Sequence, residues 1–167
     1  AMKEGKLLGF QLWINMPAKL KKNKPEYLYI KGNELGVHSD NEKTIKVIAG
    51  KYLKLEGPEK NHNVEPIYFH VILKEDKEFK YEVPFGHNSF VYILKGDLKI
   101  GERNHDRAGD SSLILLERGS ELKIRAKKET EFLFIAGKPI GEPIARGGPF
   151  VMNTKAEILE AIQDYNN

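Results

Sequence analysis

Ile67-Tyr68-Phe69-His70-Val71-Ile72-Leu73 alternates strictly, with Ile67, Phe69, Val71 and Leu73 on one face. A period of two sends successive side chains to opposite faces of a pleated strand, so this run reads as a half-buried β-strand. Glu121-Leu122-Lys123-Ile124-Arg125-Ala126-Lys127 repeats the pattern, one face wet and one buried. Residues 44–49, 52–55, 89–94, 98–100, 112–116 and 130–136 read as further short strands. Gly96-Asp97, Gly101-Glu102, Gly109-Asp110 and Arg118-Gly119-Ser120 separate several of them at turns. Short strands punctuated at intervals of roughly ten residues indicate an all-β antiparallel sandwich or barrel.

The chain has 167 residues, which bounds it to one domain or two very small ones. With 40% hydrophobic and 31% charged residues it has the composition of a soluble globular protein with a real core. Cysteine is absent, which excludes disulfides, thiolate metal sites and a cysteine nucleophile. The longest apolar runs, such as Leu113-Ile114-Leu115-Leu116, fall far short of the about 18 residues of a membrane span. No apolar segment follows Ala1-Met2-Lys3-Glu4-Gly5-Lys6 as a signal peptide requires, so the expected compartment is the cytoplasm. The net charge is +3, with acidic residues interspersed almost throughout. Lys19, Lys21, Lys22 and Lys24 form the densest basic cluster, without the aromatic stripe or recognition helix of a nucleic-acid platform, and read as a solvated loop.

Thr154-Lys155-Ala156-Glu157 is a capping box, and Ile158, Ile162 and Tyr165 follow at helical spacing. A C-terminal helix packing on the barrel is expected over residues 151–167. Residues 16–30, with Pro17 and Pro25, read as irregular. Residues 137–150, with four glycines and three prolines, read as a loop. Gly9-Phe10-Gln11-Leu12-Trp13-Ile14-Asn15-Met16-Pro17 reads as a strand that needs a partner edge, on this chain or another. The expected division is therefore 1–24 as N-terminal strand and linker, 25–150 as barrel and 151–167 as helix.

Three stretches carry a family resemblance. Gly9-Phe10-Gln11-Leu12-Trp13-Ile14-Asn15-Met16-Pro17-Ala18-Lys19 resembles the segment that joins the two halves of pirins. Pro84-Phe85-Gly86, Ser89-Phe90-Val91-Tyr92-Ile93 and Gly96-Asp97 are similar to the middle of the second half. Gly148-Pro149-Phe150-Val151-Met152-Asn153-Thr154 resembles its end, and is the most specific of the three. Pirins are bicupins, so the resemblance implies a single cupin-type double-stranded β-helix barrel, an antiparallel jelly roll, with a C-terminal helix. It also implies iron or another divalent metal in full-length members, and for some of them ring opening of quercetin with dioxygen. The family ligands, a His-x-His pair and a His-x-Glu, belong to the first half, and no histidine precedes Gly9 here.

A cupin metal site needs about three imidazoles and a carboxylate converging in the barrel. The five histidines, His38, His62, His70, His87 and His105, show no His-x-His spacing. Aligning the second half on Gly96 puts Glu82, Pro84 and Asn88 at the ligand positions the resemblance implies, one potential ligand of three. No metal or other cofactor is therefore expected in this chain. His38-Ser39-Asp40, His62 and His105 lie in turn-rich settings and read as surface, and His70 lies opposite the core face of its strand. His87 follows Pro84-Phe85-Gly86 at the barrel mouth, with Glu82 and Tyr92 as candidate neighbours in a small-molecule pocket; a loop histidine beside a filled barrel is the simpler reading. No Gly-x-Ser-x-Gly elbow or phosphate loop occurs.

The resulting expectation is a non-catalytic, metal-free pirin-like module working through protein contacts. The alternative is a quercetin 2,3-dioxygenase-type enzyme that needs the first cupin half. Phe10, Leu12, Trp13, Ile158, Ile162 and Tyr165 are the expected interface, and a second copy or a first-half pirin-type cupin the expected partner.

Overall fold

The computed structural model describes residues 8–59, 63–101 and 107–166. They form two compact units, residues 25–139 and residues 8–24 with 140–166.

The described residues of the larger unit form twelve strands in chain order. These are β1 (Gly36–Ser39), β2 (Lys43–Ala49), β3 (Lys51–Tyr52), β4 (Leu55–Glu56), β5 (Ile67–Leu73) and β6 (Glu78–Glu82), then β7 (Asn88–Lys95), β8 (Asp97–Ile100), β9 (Arg107–Gly109), β10 (Leu113–Leu115), β11 (Glu121–Ala126) and β12 (Thr130–Gly137). Six make one sheet in the order β1-β2-β5-β12-β7-β10, and four make another in the order β6-β11-β8-β9. Pairing within both sheets is antiparallel.

Alternation sets the register. Val71 lies opposite Ile45 on one side and Phe132 on the other; Phe69 lies opposite Val47 and Phe134. A slip of one residue would expose this whole row, so burial holds the pairing in place. Phe79, Leu98, Leu122 and Ile124 of the smaller sheet close onto the same core. The Phe79 ring meets Phe132 edge-on at 5.8 Å and lies 6.3 Å from Phe134, so aromatic side chains fill the barrel. This is the cupin-type jelly roll implied by the alternation and the resemblance together.

Four local readings need correction. Residues 52–55 are not one strand: Leu53 takes φ 53°, and the chain reverses there from β3 into β4. His38-Ser39-Asp40 is not a loop. Its first two residues end edge strand β1, with His38 opposite Ile45. Asp40 then turns the chain by accepting from the Glu42 and Lys43 amides at 2.7 and 2.9 Å. Those amides and His38 hold its carboxyl far below the usual carboxylate range. Residues 137–150 are not all loop, since β13 (Ala145–Gly147) begins a hairpin with β14 (Phe150–Met152). Three-residue strands are too short for a period to register. Finally, residues 8–17 join no sheet among the described residues, so the expected N-terminal strand is absent. Strand propensity without a partner edge makes no ladder.

In the smaller unit the β13–β14 hairpin supports α1 (Lys155–Asn166). Gly147 permits the approach: a Cβ there would overlap Cγ2 of Ile158, the buried residue of the helix. The N-terminal segment is tied to the same unit. The Ala18 amide donates to Glu142 at 2.7 Å, and Lys21 Nζ donates to the Val151 carbonyl at 2.9 Å.

The capping box forms as the sequence predicts. The Glu157 amide donates to Thr154 Oγ1 at 3.2 Å, and the Thr154 amide donates to the Glu157 carboxylate at 2.7 Å. The Thr154 hydroxyl, with the Thr154 and Asn153 amides, holds the Glu157 carboxyl below its ordinary range. Thr154→Ala is expected to cost about 1 kcal/mol of helix stability, read as faster amide exchange along α1. A lowered folded-state value means that the Glu157 contribution is present above the ordinary carboxylate range and lost as pH falls below that range through the lowered folded-state value. The gap between wild type and variant should therefore narrow in acid.

Candidate functional site

The barrel centre is apolar. Phe69, Phe79, Phe132 and Phe134 are fully buried there, with the Tyr81 ring packed against Phe69 and Phe134. The three positions aligned with cupin ligands do not converge inside it. Glu82 is exposed at the end of β6 opposite Glu121, and Pro84 and Asn88 are exposed on either side of the β6–β7 loop. Among the described residues no group of three His, Asp or Glu side chains could hold a metal ion. The described residues of this barrel do not fit the divalent metal that the cupin fold implies.

Each described histidine has a different setting. His38 Nε2 lies 2.9 Å from Asp40 Oδ2, and His70 Nε2 lies 2.6 Å from Glu131 Oε1 on the outer side of β5 and β12. His62 and His105 lie outside the described residues. His87 is the buried one, at 5% exposure.

His87 sits in the β6–β7 loop, where its amide donates to the Pro84 carbonyl at 3.1 Å. Its Nε2 donates to the Glu65 carbonyl at 3.2 Å, while Nδ1 is buried without a partner among the described residues. Glu65 holds φ 47°, the left-handed region, which costs a residue with a Cβ about 1–2 kcal/mol. His87 lines a cavity of about 370 Å³, together with Lys51, Glu56, Glu59, Glu65 and Tyr81. The Tyr81 hydroxyl donates to the Lys51 carbonyl at 3.0 Å, and burial pushes its phenol up, so it stays a neutral donor. Neither Glu82 nor Tyr92 lines this cavity. Tyr92 is on β7, opposite Leu133 and Leu113. Sequence spacing could locate His87 but not its neighbours, which arrive from separate strands and turns.

A second feature is the outer face of the six-stranded sheet. One row across it reads Tyr68, Ile135, Phe90 and Leu115; the next reads Lys46, His70, Leu133, Tyr92 and Leu113. Leu133 is only 6% exposed yet stands outside the barrel core, whereas Leu113 and Leu115 are 58% and 77% exposed. An antiparallel sheet with one wet face would alternate apolar and polar residues. Here both faces are apolar at this end. At its β5 and β2 end the second row turns polar with His70 and Lys46, and Glu131 bonds His70.

Of the sequence-derived interface residues, Phe10, Leu12 and Trp13 are exposed, Trp13 by 65%. Within the smaller unit, Trp13, Met16, Ile144, Arg146 and Phe150 line a groove of about 590 Å³. Ile158 is used inside that unit, while Ile162 and Tyr165 stay exposed, with Tyr165 edge-on to Phe150.

Residues 68–167 match the family profile of the pirin C-terminal cupin domain. The chain is 33% identical over 164 residues to a pirin-like protein of Caulobacter vibrioides, across 97% of this chain and 58% of that one. It is 32% identical over 163 residues to pirin of Homo sapiens, across 95% of this chain and 56% of that one. A crystal structure of quercetin 2,3-dioxygenase from Acinetobacter baumannii superposes with TM-score 0.84 at 32% identity, across 92% of this chain and 54% of that one. The chain thus spans little more than half the length of these relatives.

Proposed function

Because this chain belongs to the pirin family and carries its C-terminal cupin domain, we propose that it serves as the metal-free half of a two-cupin assembly. It acts by docking, not by chemistry in its own barrel. The outer face of the six-stranded sheet carries this reading. Leu113 and Leu115 stand exposed beside Phe90, Tyr92 and Ile135, and contiguous apolar surface of this kind marks a protein interface. The occupant is a metal-bearing cupin. The phenylalanine-filled interior of this barrel and the partial span of the longer relatives both support it. When only this chain is present, a second copy takes the same face.

The test uses the purified chain. Light scattering at high micromolar concentration is expected to show a dimer, and Leu115→Lys to show a monomer. Elemental analysis after incubation with Fe(II) is expected to find far less than one equivalent, with no loss of quercetin absorbance. A wild-type monomer would overturn the docking reading. One equivalent of metal with chelator-sensitive quercetin loss would overturn the non-catalytic one.

The second reading is oxidative ring cleavage of a flavonol, favoured by the solved relative described as quercetin 2,3-dioxygenase. On that reading the chemistry belongs to a longer polypeptide or a partner chain bearing the metal, and this half holds it in place.

A further inference from the structure

We infer that the groove of the smaller unit binds a small aromatic carboxylate, its charge held by Lys21 and Arg146 and its ring laid against Trp13 and Phe150. Both cations line that groove. Lys21 is the one lysine of the 19–24 cluster that is not exposed. Its Nζ donates to Asn15 Oδ1 at 2.6 Å and to the Val151 carbonyl at 2.9 Å. Both acceptors are neutral, so they fix the ammonium without cancelling its charge, and a third N–H remains to donate. A charged group drawn away from water is normally paired with its opposite. Lys21 has no carboxylate partner among the described residues.

Arg146 is exposed and has no hydrogen-bond or ion-pair partner among the described residues. No Asp or Glu among them lines the groove. The described acidic residues of this unit act elsewhere. Glu160 pairs with Lys22, and Asp164 also acts on Lys22. Glu157 accepts from the Asn153 and Thr154 amides, and Glu142 from the Ala18 amide and Asn153 Nδ2. The groove therefore presents two positive groups and no negative one, so it draws an anion and repels a cation. The planar fork of a guanidinium matches a carboxylate with two parallel bonds. Trp13, Phe150, Ile144 and Pro149 supply apolar wall, which a bare inorganic anion would leave wet and an aromatic ring covers. The volume of about 590 Å³ falls within the range of about 300–1,000 Å³ for small-molecule sites. The groove lies wholly within the smaller unit, so it stands whether or not the sheet face docks a partner.

The probe is 3-phenylpropanoate, with 3-phenylpropanamide and 3-phenylpropylammonium as neutral and cationic counterparts, titrated into the 15N-labelled chain. Trp13 is the only tryptophan, so its indole N–H gives one signal from the groove itself. The carboxylate is expected to give saturable shifts at that indole and at the Asn15, Arg146 and Phe150 amides, and to bind more weakly as salt is raised. Both counterparts should bind at least about tenfold more weakly. Arg146→Gln and Lys21→Met should each weaken the carboxylate about tenfold, whereas Lys155→Gln, at an exposed cation off the groove, should change nothing. Equal binding of the amide or the ammonium overturns the inference, as does full affinity in Arg146→Gln or an equal loss in Lys155→Gln. So does the absence of saturation by the carboxylate, which would mean a groove reserved for a protein surface. If Lys21→Met releases the N-terminal segment, read as a random-coil Trp13 indole shift, Arg146→Gln and the charge series decide alone.

Discussion

Phe79→Ala is expected to remove about 3–5 kcal/mol from the stability of the barrel, against a total of about 5–15 kcal/mol for a domain of ordinary stability. The ring is fully buried between the sheets, touching Phe132 and Phe134 of the larger sheet and stacking at 6.1 Å on Tyr52. Its neighbours sit on paired strands and cannot collapse into the gap, so the lost contacts and the residual cavity add. The measurement needs a suitable probe. The only tryptophan, Trp13, belongs to the other unit. Urea unfolding followed by far-UV circular dichroism, or amide exchange along β12, reads the barrel itself. A midpoint shift equivalent to less than about 1 kcal/mol, with unchanged slope, would show that the centre repacks and is not the rigid aromatic core described above.

Gly96→Ala is expected to be comparably damaging, at about 3 kcal/mol or more, from backbone strain and overpacking together. Gly96 joins β7 to β8 at φ 119°, a conformation L side chains rarely adopt. A Cβ there would lie 2.6 Å from both Cα and Cβ of Thr130. Thr130 cannot yield. It is fully buried, and its hydroxyl accepts from the Asp97 amide at 3.0 Å while lying within reach of the Asp97 and Lys128 carbonyls. The Gly96 amide also donates to Asp110, which closes the same corner. Gly119→Ala is the matched control. No atom lies within 4 Å of a Cβ at Gly119, and its φ is ordinary, so stability should hold or rise slightly. Equal midpoints for Gly96→Ala and wild type would refute the steric account.

Both effects come from long-range packing, and this separates what was legible in the chain from what was not. β5 appears with the bounds read from its alternation, and β7, β11 and β12 to within one residue at each end. Each presents one face to the core, so burial writes a period of two directly into the residues. Edge strand β1 and the β13–β14 hairpin are too short or too exposed to carry that period. Residues 8–17 mislead in the opposite direction, because β-prone side chains state a preference that only a partner edge can satisfy. At the candidate site, His87 stood out by its place after Pro84-Phe85-Gly86. Its burial, its bond to Glu65 and the rest of the cavity wall come from residues up to 36 positions away, from Lys51 to His87, joined only when the sheets close.

By itself, then, the sequence determined the family, the antiparallel barrel and the inward row of Ile67, Phe69, Val71 and Leu73, because core burial and side-chain period are local properties of each strand. The tertiary structure alone decided that Glu82 and Tyr92 do not line the His87 cavity while Glu65, Glu59 and Tyr81 do. It alone placed an apolar row on the outer side of β12, β7 and β10. Which residues meet across a closed barrel depends on strand order and register, and those are set by the sum of all pairings and not by any single segment.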